Sequence, residues 1–177
     1  MKTRDKKEVC QELKRIADRE EHIDSRVFSA ISMAEGLYEI YITDQDAFLS
    51  LIWQESDPVR FLTPKGQPRT LKDVTERFIS KGYSFRALKV DSCTGQCDPE
   101  WFKVCEQLDD SFDIKRFGYV VIVQPNDNER NQSPRGSFYI YDGVHKTLVY
   151  AKRLLKRETK FELVRALLII PRPVEQR

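Results

Sequence analysis

The residues of this chain best placed to do chemistry together are Asp142, Gly143, His145, Lys146 and Thr147, within the stretch SFYIYDGVHKTLVYAKRLLKR at Ser137–Arg157. Phe138–Tyr141 reads as a strand, Asp142-Gly143 as a tight turn, and a helix starts near Val144. A helix start carries backbone N–H groups without intrahelical acceptors and the positive end of the helix dipole, so it suits an anion, phosphate above all. Glycine lets the backbone come close to such a ligand. His145, Lys146 and the Thr147 hydroxyl add donors. Asp142 adds a carboxylate suited to placing Mg²⁺ or activating a hydroxyl, and His145 suits phosphate contact or acid–base work. Each residue also has an ordinary role: Asp142 as a helix cap, the others on a helix surface.

The helix that positions these groups carries Val144, Leu148, Ala151 and Leu155 on one stripe, which packs it on a sheet and leaves its N-terminus at a sheet edge. Two further runs read as buried strands of that sheet, Tyr119–Val123 (YVVIV) and Leu163–Ile170 (LVRALLII). Phe85–Val90 (FRALKV) alternates and predicts a fourth strand. Thr70 is placed to cap a helix over Leu71–Lys81 that Gly82 terminates. Upstream, the spacing predicts helices over Thr3–Glu21 and Ser25–Glu35, the second capped by Asp24 and closed by Gly36. Leu37–Ile42 predicts a short strand, and a third helix capped by Thr43 or Asp44 runs through Trp53. Asp91–Gly118 reads as an acidic insertion with a helix from Asp98 through Leu108, and Pro125–Gly136 as a polar, mobile loop. The fold class expected is α/β (α+β): a mixed sheet with flanking helices, residues 57–177, behind a helical N-terminal segment, residues 1–56.

Composition narrows the class of protein. At 177 residues the chain forms one domain, and 40% hydrophobic content supports a core under a surface rich in charge. The formal net charge of +2 argues for no partner by itself, but its distribution is uneven. Lys146–Lys160 holds six Lys or Arg against one Glu, and Asp91–Asp113 holds seven Asp or Glu against one Lys. The basic set Lys152, Arg153, Lys156, Arg157 and Lys160 suits a nucleic-acid backbone. The charged N-terminus lacks the apolar core of a signal peptide, and no run approaches the ~20 apolar residues of a membrane span. A cytoplasmic protein with reduced thiols and no membrane partner is expected. Cys93, Cys97 and Cys105 lack the paired spacing of a zinc knuckle, and no metal site is assigned to them.

The order of elements resembles the ParB/sulfiredoxin-like superfamily. The features are a proline-rich basic loop, KGQPRTL at Lys65–Leu71, a helix ending in glycine, an extended strand, strand–DGxHK–helix, and a final strand, over about Pro58–Pro171. The resemblance, nearest to the free-serine-kinase and partitioning branch, implies a nucleotide whose phosphates contact Gly143, His145, Lys146 and Thr147. Lys65 and Arg69 would close over it. It implies Mg²⁺ and a nucleoside triphosphate, ATP or CTP, as cofactors, and Asp142 and His145 as catalytic groups of a phosphotransferase or NTPase. Glu55 and Asp57 stand in the segment upstream of the basic loop, where the kinases carry a catalytic carboxylate, without a one-to-one match. Two departures stand out. Lys146 replaces the usual arginine and loses the bidentate fork, and Val144 stands where sulfiredoxins have cysteine, which argues against sulfinic acid reduction. The alternatives are a DNA-binding protein or nuclease using the basic helix 146–160, and a non-catalytic interaction module.

Overall fold

The computed structural model describes residues 1–17, 23, 25–53, 61–64, 69–88, 98–125 and 138–173. Lys65, Glu55, Asp57, Asp24, Cys93, Cys97 and all but the first residue of the loop expected over Pro125–Gly136 lie outside them. The fold is mixed α/β. Six strands form one sheet in the order β1-β2-β6-β4-β5-β3: β1 Lys2–Thr3, β2 Ala34–Ile42, β3 Ile52–Trp53, β4 Val120–Val123, β5 Tyr139–Asp142 and β6 Val164–Pro171. The α-helices are α1 Lys6–Ala17, α2 Ser25–Met33, α3 Gln45–Leu49, α4 Leu71–Ser80, α5 Phe85–Leu88, α6 Pro99–Asp110 and α7 Val144–Leu155. No helix among the described residues is long and apolar enough to cross a membrane.

The central strands β4 and β6 run parallel to each other and bury both faces, as continuous apolar runs do. Alternation divides them. Val120, Ile122, Val164, Ala166 and Leu168 face one core with α3–α7. Val121, Leu167 and Ile169 face a second core with Val9 and Leu13 of α1 and Val27 and Ile31 of α2. Two layers of helix thus enclose one sheet.

Several boundaries differ from expectation. Phe85–Leu88 is helical, and residues 89 and 90 lie outside the described set. Ser84 Oγ accepts the Ala87 N–H at 3.1 Å, and Phe85 and Leu88, three apart, bury the same side of the turn. Alternation over six residues did not separate strand from a single helical turn. The helix expected through Trp53 stops at Leu49, capped by Asp44, whose carboxylate accepts the Ala47 N–H at 2.8 Å; Ile52–Trp53 then joins the sheet beside β5. The second helix ends at Met33 because Ala34 and Glu35 are drawn into β2, beside β6. The sheet also crosses the boundary expected at 56/57. β2 pairs with β6 over its whole length and β3 with β5, so the N-terminal third supplies strands as well as helices.

Candidate functional site

The Asp142–Thr147 turn forms where β5 ends. Asp142 is the last residue of β5 and pairs with Val121 of β4, past a break in the register that follows the Ile122–Ile140 pair. Gly143 then turns the chain at φ +88°, ψ +21°, a left-handed conformation that costs a side-chain-bearing residue about 1–2 kcal/mol. A Cβ added there would also meet Lys146 Cε at 2.8 Å. The lysine side chain thus curls back over the turn, its Nζ 5.5 Å from the centre of the Phe117 ring.

The N-cap of α7 is Gly143, which has no side chain to offer, and the first turn holds no acidic residue. Helices α1, α4 and α6 are finished differently. Asp5 accepts the N–H groups of Lys7 and Glu8 ahead of α1, Thr70 and Asp73 form a reciprocal capping box on α4, and Asp98 caps α6. At α7 a lysine sits instead near the positive end of the dipole, where a cation is disfavoured and an anion favoured.

His145 lies against Trp101 of α6, ring centres 4.3 Å apart and planes at 33°. Trp101 is 9% exposed and packs on Trp53 of β3 at 6.0 Å and on Phe102 at 4.9 Å. The Trp53 indole N–H is buried without an acceptor among the described residues. The Trp53 backbone N–H donates to the Arg69 carbonyl at 2.8 Å, so the segment carrying Arg69 runs beside the end of β3. Because β3 and β5 are parallel, Trp53 and Asp142 lie toward the same end of the sheet.

α6 and α7 touch at a second place. Asp109 Oδ1 accepts from Arg153 Nε at 2.8 Å, its backbone carbonyl accepts from Arg153 Nη2 at 2.6 Å, and its Oδ2 pairs with Lys152. Trp101 meets His145 near both N-termini and Asp109 meets Arg153 further along both helices. The helices therefore run side by side in the same direction.

These contacts sort the expected site residues. Asp142, Gly143, His145 and Lys146 come together at one end of α7. Thr147 does not belong with them as a ligand. Its side chain is fully buried and its hydroxyl donates to the Val144 carbonyl at 2.9 Å, because the position falls on the sheet-facing side of the helix. Among the nucleic-acid candidates, Lys152 and Arg153 are committed to Asp109, so the continuous basic face expected over 146–160 is broken; Lys156, Arg157 and Lys160 are exposed. Among the described residues no group of three His, Cys, Asp or Glu side chains is disposed to hold a metal ion. Cys105 is buried in α6, and burial pushes its thiol well above the ordinary range, which leaves it unreactive.

Sequence reasoning missed two groups. One is Trp101 with Trp53, whose approach to His145 no spacing announces. The other is a charged cluster on the opposite sheet face. Arg4 donates to Glu39 at 2.5 Å and to Glu12 at 2.7 Å, Arg165 donates to Glu39 at 2.8 Å, and Tyr41 donates to Glu39 at 3.0 Å. Tyr119 donates to Glu12 at 3.0 Å, and its ring lies under the Arg165 guanidinium. The Arg165 hydrogen bond, with those from Arg4 and Tyr41, outweighs burial and lowers Glu39 to about 2, while burial pushes Tyr119 up to about 12. Each carboxylate is answered by a guanidinium, so the cluster fastens the N-terminal segment to the sheet. Its one sequence signal was Glu39 within the otherwise apolar and aromatic LYEIYI.

Comparison with protein-family models, curated proteins and solved structures finds no match for the chain.

Proposed function

We propose that this protein binds a nucleoside triphosphate, with the phosphates on the Gly143–Lys146 turn, and that it acts as a phosphotransferase or NTPase. The observation that carries this reading is the start of α7, whose N-cap is a left-handed glycine, whose first turn holds no acid and over which the Lys146 side chain folds. A phosphate there would accept from first-turn amides and place negative charge at the positive end of the dipole, within reach of a lysine. The strand–DGxHK–helix order supports the same reading through its resemblance to the ParB/sulfiredoxin-like superfamily. His145 and Lys146 would contact the phosphates, and Arg69 would approach from the β3 side. Thr147 has no part in it. Asp142, the one carboxylate of the turn, would position the acceptor or take its proton. Mg²⁺ would depend on the nucleotide's own oxygens as well as on Asp142, which accords with its preference for phosphate and few protein ligands. Positioning and charge stabilisation would supply the rate.

Nucleotide titration tests this directly. Calorimetry and thermal unfolding with ATP, CTP, GTP and ADP, with and without Mg²⁺, should show one preferred nucleotide. At a hundred times Kd it should add about 2.7 kcal/mol to stability. His145→Ala with Lys146→Ala should keep the fold and lose that gain. Wild type that binds no nucleotide at millimolar concentration would sink the reading and leave the interaction-module alternative.

A further inference from the structure

We propose that Trp101 is the positioning residue for His145, holding its imidazole toward the anion at the Gly143 turn; this rests on the phosphate reading above. His145 is the second residue of α7, a position where a side chain ordinarily keeps its rotamer freedom. Here the ring lies against the Trp101 indole, centres 4.3 Å apart and planes tilted by 33°, in direct contact. Trp101 is itself fixed. It is 9% exposed and wedged between Trp53 and Phe102, and its helix is fastened to α7 a second time through Asp109 and Arg153. Trp101 and Asp109 are eight residues apart on α6, and His145 and Arg153 are eight apart on α7. At 1.5 Å rise per residue both spacings are about 12 Å, so the two contacts hold the helices in a single register.

The consequence is preorganisation. A histidine already immobilised beside the amides gives up less conformational freedom when an anion arrives, and one side chain's freedom corresponds to about three- to tenfold in affinity. The ring contact comes from another helix, more than forty residues away in the sequence. It also explains why a segment read as an acidic insertion carries a tryptophan at the third position of its helix: α6 forms one wall of the turn.

Two measurements on the full chain test this, one needing no ligand. The chain has two histidines, so the imidazole proton resonances are few, and His145→Ala assigns them. The Trp101 ring current should hold the His145 signals upfield, and Trp101→Leu should release them. Calorimetry with Mg-ATP and with inorganic phosphate then compares wild type, Trp101→Phe, Trp101→Leu and each change in a His145→Ala background. Trp101→Leu should bind three- to tenfold more weakly, Trp101→Phe should recover most of the loss, and neither should matter once His145 is absent. Unshifted His145 signals would overturn the proposal whatever binds. So would equal binding by wild type and Trp101→Leu, or an equal loss in the His145→Ala background, which marks general damage to the fold. Wild type that binds neither ATP nor phosphate removes the site, and the role of Trp101 with it.

Discussion

Glu39 on β2 accepts the Nε–H of Arg165 on β6 at 2.8 Å across a diagonal of the sheet, since Glu39 stands opposite Leu167 and Arg165 opposite Tyr41. With Arg4 on its other oxygen, the carboxylate is 8% exposed and holds its charge down to a pKa of about 2, against an ordinary value of 4.5. A lowered carboxylate pKa stabilises the folded state above the unfolded value, and that stability is lost as pH falls through the folded one. Glu39 therefore contributes up to about 3 kcal/mol at neutral pH, lost progressively from about pH 5 toward pH 2. Urea unfolding between pH 6 and pH 2 should show this loss in wild type and a shallower acid dependence in Glu39→Gln. Identical slopes in the two would mean that other carboxylates govern acid unfolding.

Arg157 ends α7 in the conformation that Gly82 adopts at the end of α4. Its φ is +59°, and it completes the same double closure, with Arg157 N–H on the Leu154 carbonyl at 3.0 Å and Glu158 N–H on Arg153 at 2.8 Å. A side-chain-bearing residue is strained there and glycine is not. Arg157→Gly should raise stability by about 0.5–1 kcal/mol, less than the full strain because glycine makes the unfolded chain freer. Thermal unfolding decides it; a loss of stability would show that the arginine side chain contributes more than its backbone costs.

The elements legible in the sequence were those with a long periodic signal or a cap of unambiguous chemistry. The α7 stripe, the buried runs of β4 and β6, Thr70 ahead of α4 and Gly82 after it each rest on interactions within a dozen residues. The Asp142-Gly143 turn was legible for the same reason, and Gly143 has the positive φ that such a turn requires. The two-residue strand β3 and the four-residue α5 were not, because neither a continuous apolar run nor an unambiguous cap marks them and their state is set by packing. Nor could the sequence show that Trp101 meets His145, that Asp109 takes Lys152 and Arg153 out of the basic face, or that Thr147 points inward. Those facts depend on how two helices lie against each other.

Tyr150 sits at the centre of the larger core with Phe48, Phe112, Phe117 and Phe161 around it, and its hydroxyl accepts the Glu162 N–H at 2.6 Å. It thereby ties the middle of α7 to the segment entering β6. Tyr150→Phe keeps the ring contacts and deletes the acceptor of the Glu162 N–H together with a longer donation to the Lys160 and Glu162 carbonyls, so it should cost about 1–2 kcal/mol. Hydrogen exchange should localise the change at the Glu162 amide. A loss above about 4 kcal/mol would mean that the ring packing had also changed.

At Gly143 the backbone and the side chains argue in one direction. The φ of +88° strains any β-carbon, and the space it needs is filled by the Lys146 stem. Gly143→Ala should cost about 1–2 kcal/mol, and Gly143→Val more, because a branched residue tolerates positive φ least. Gly143→Ala with Lys146→Ala should recover only the part due to crowding. Full recovery in that double variant would show that the left-handed turn itself carries no strain.

Asp109 holds two cations at once, and its removal tests whether α7 has a latent nucleic-acid face. The carboxylate is 17% exposed, so Asp109→Ala leaves Lys152 and Arg153 partly buried without their counter-charge and should cost about 2–4 kcal/mol. The freed side chains would then reach solvent beside Lys156, Arg157 and Lys160. If duplex DNA binding is a matter of phosphate contacts alone, Asp109→Ala should bind more tightly than wild type at low salt. Its affinity should also fall more steeply with salt, by close to one unit of slope for each added contact. Wild type is expected to bind only weakly, since the clamp withholds two of the five cations from the face. Tight, salt-dependent DNA binding by wild type, abolished by replacing Lys156, Arg157 and Lys160 and indifferent to His145 and Lys146, would move the function from the turn to the far end of α7.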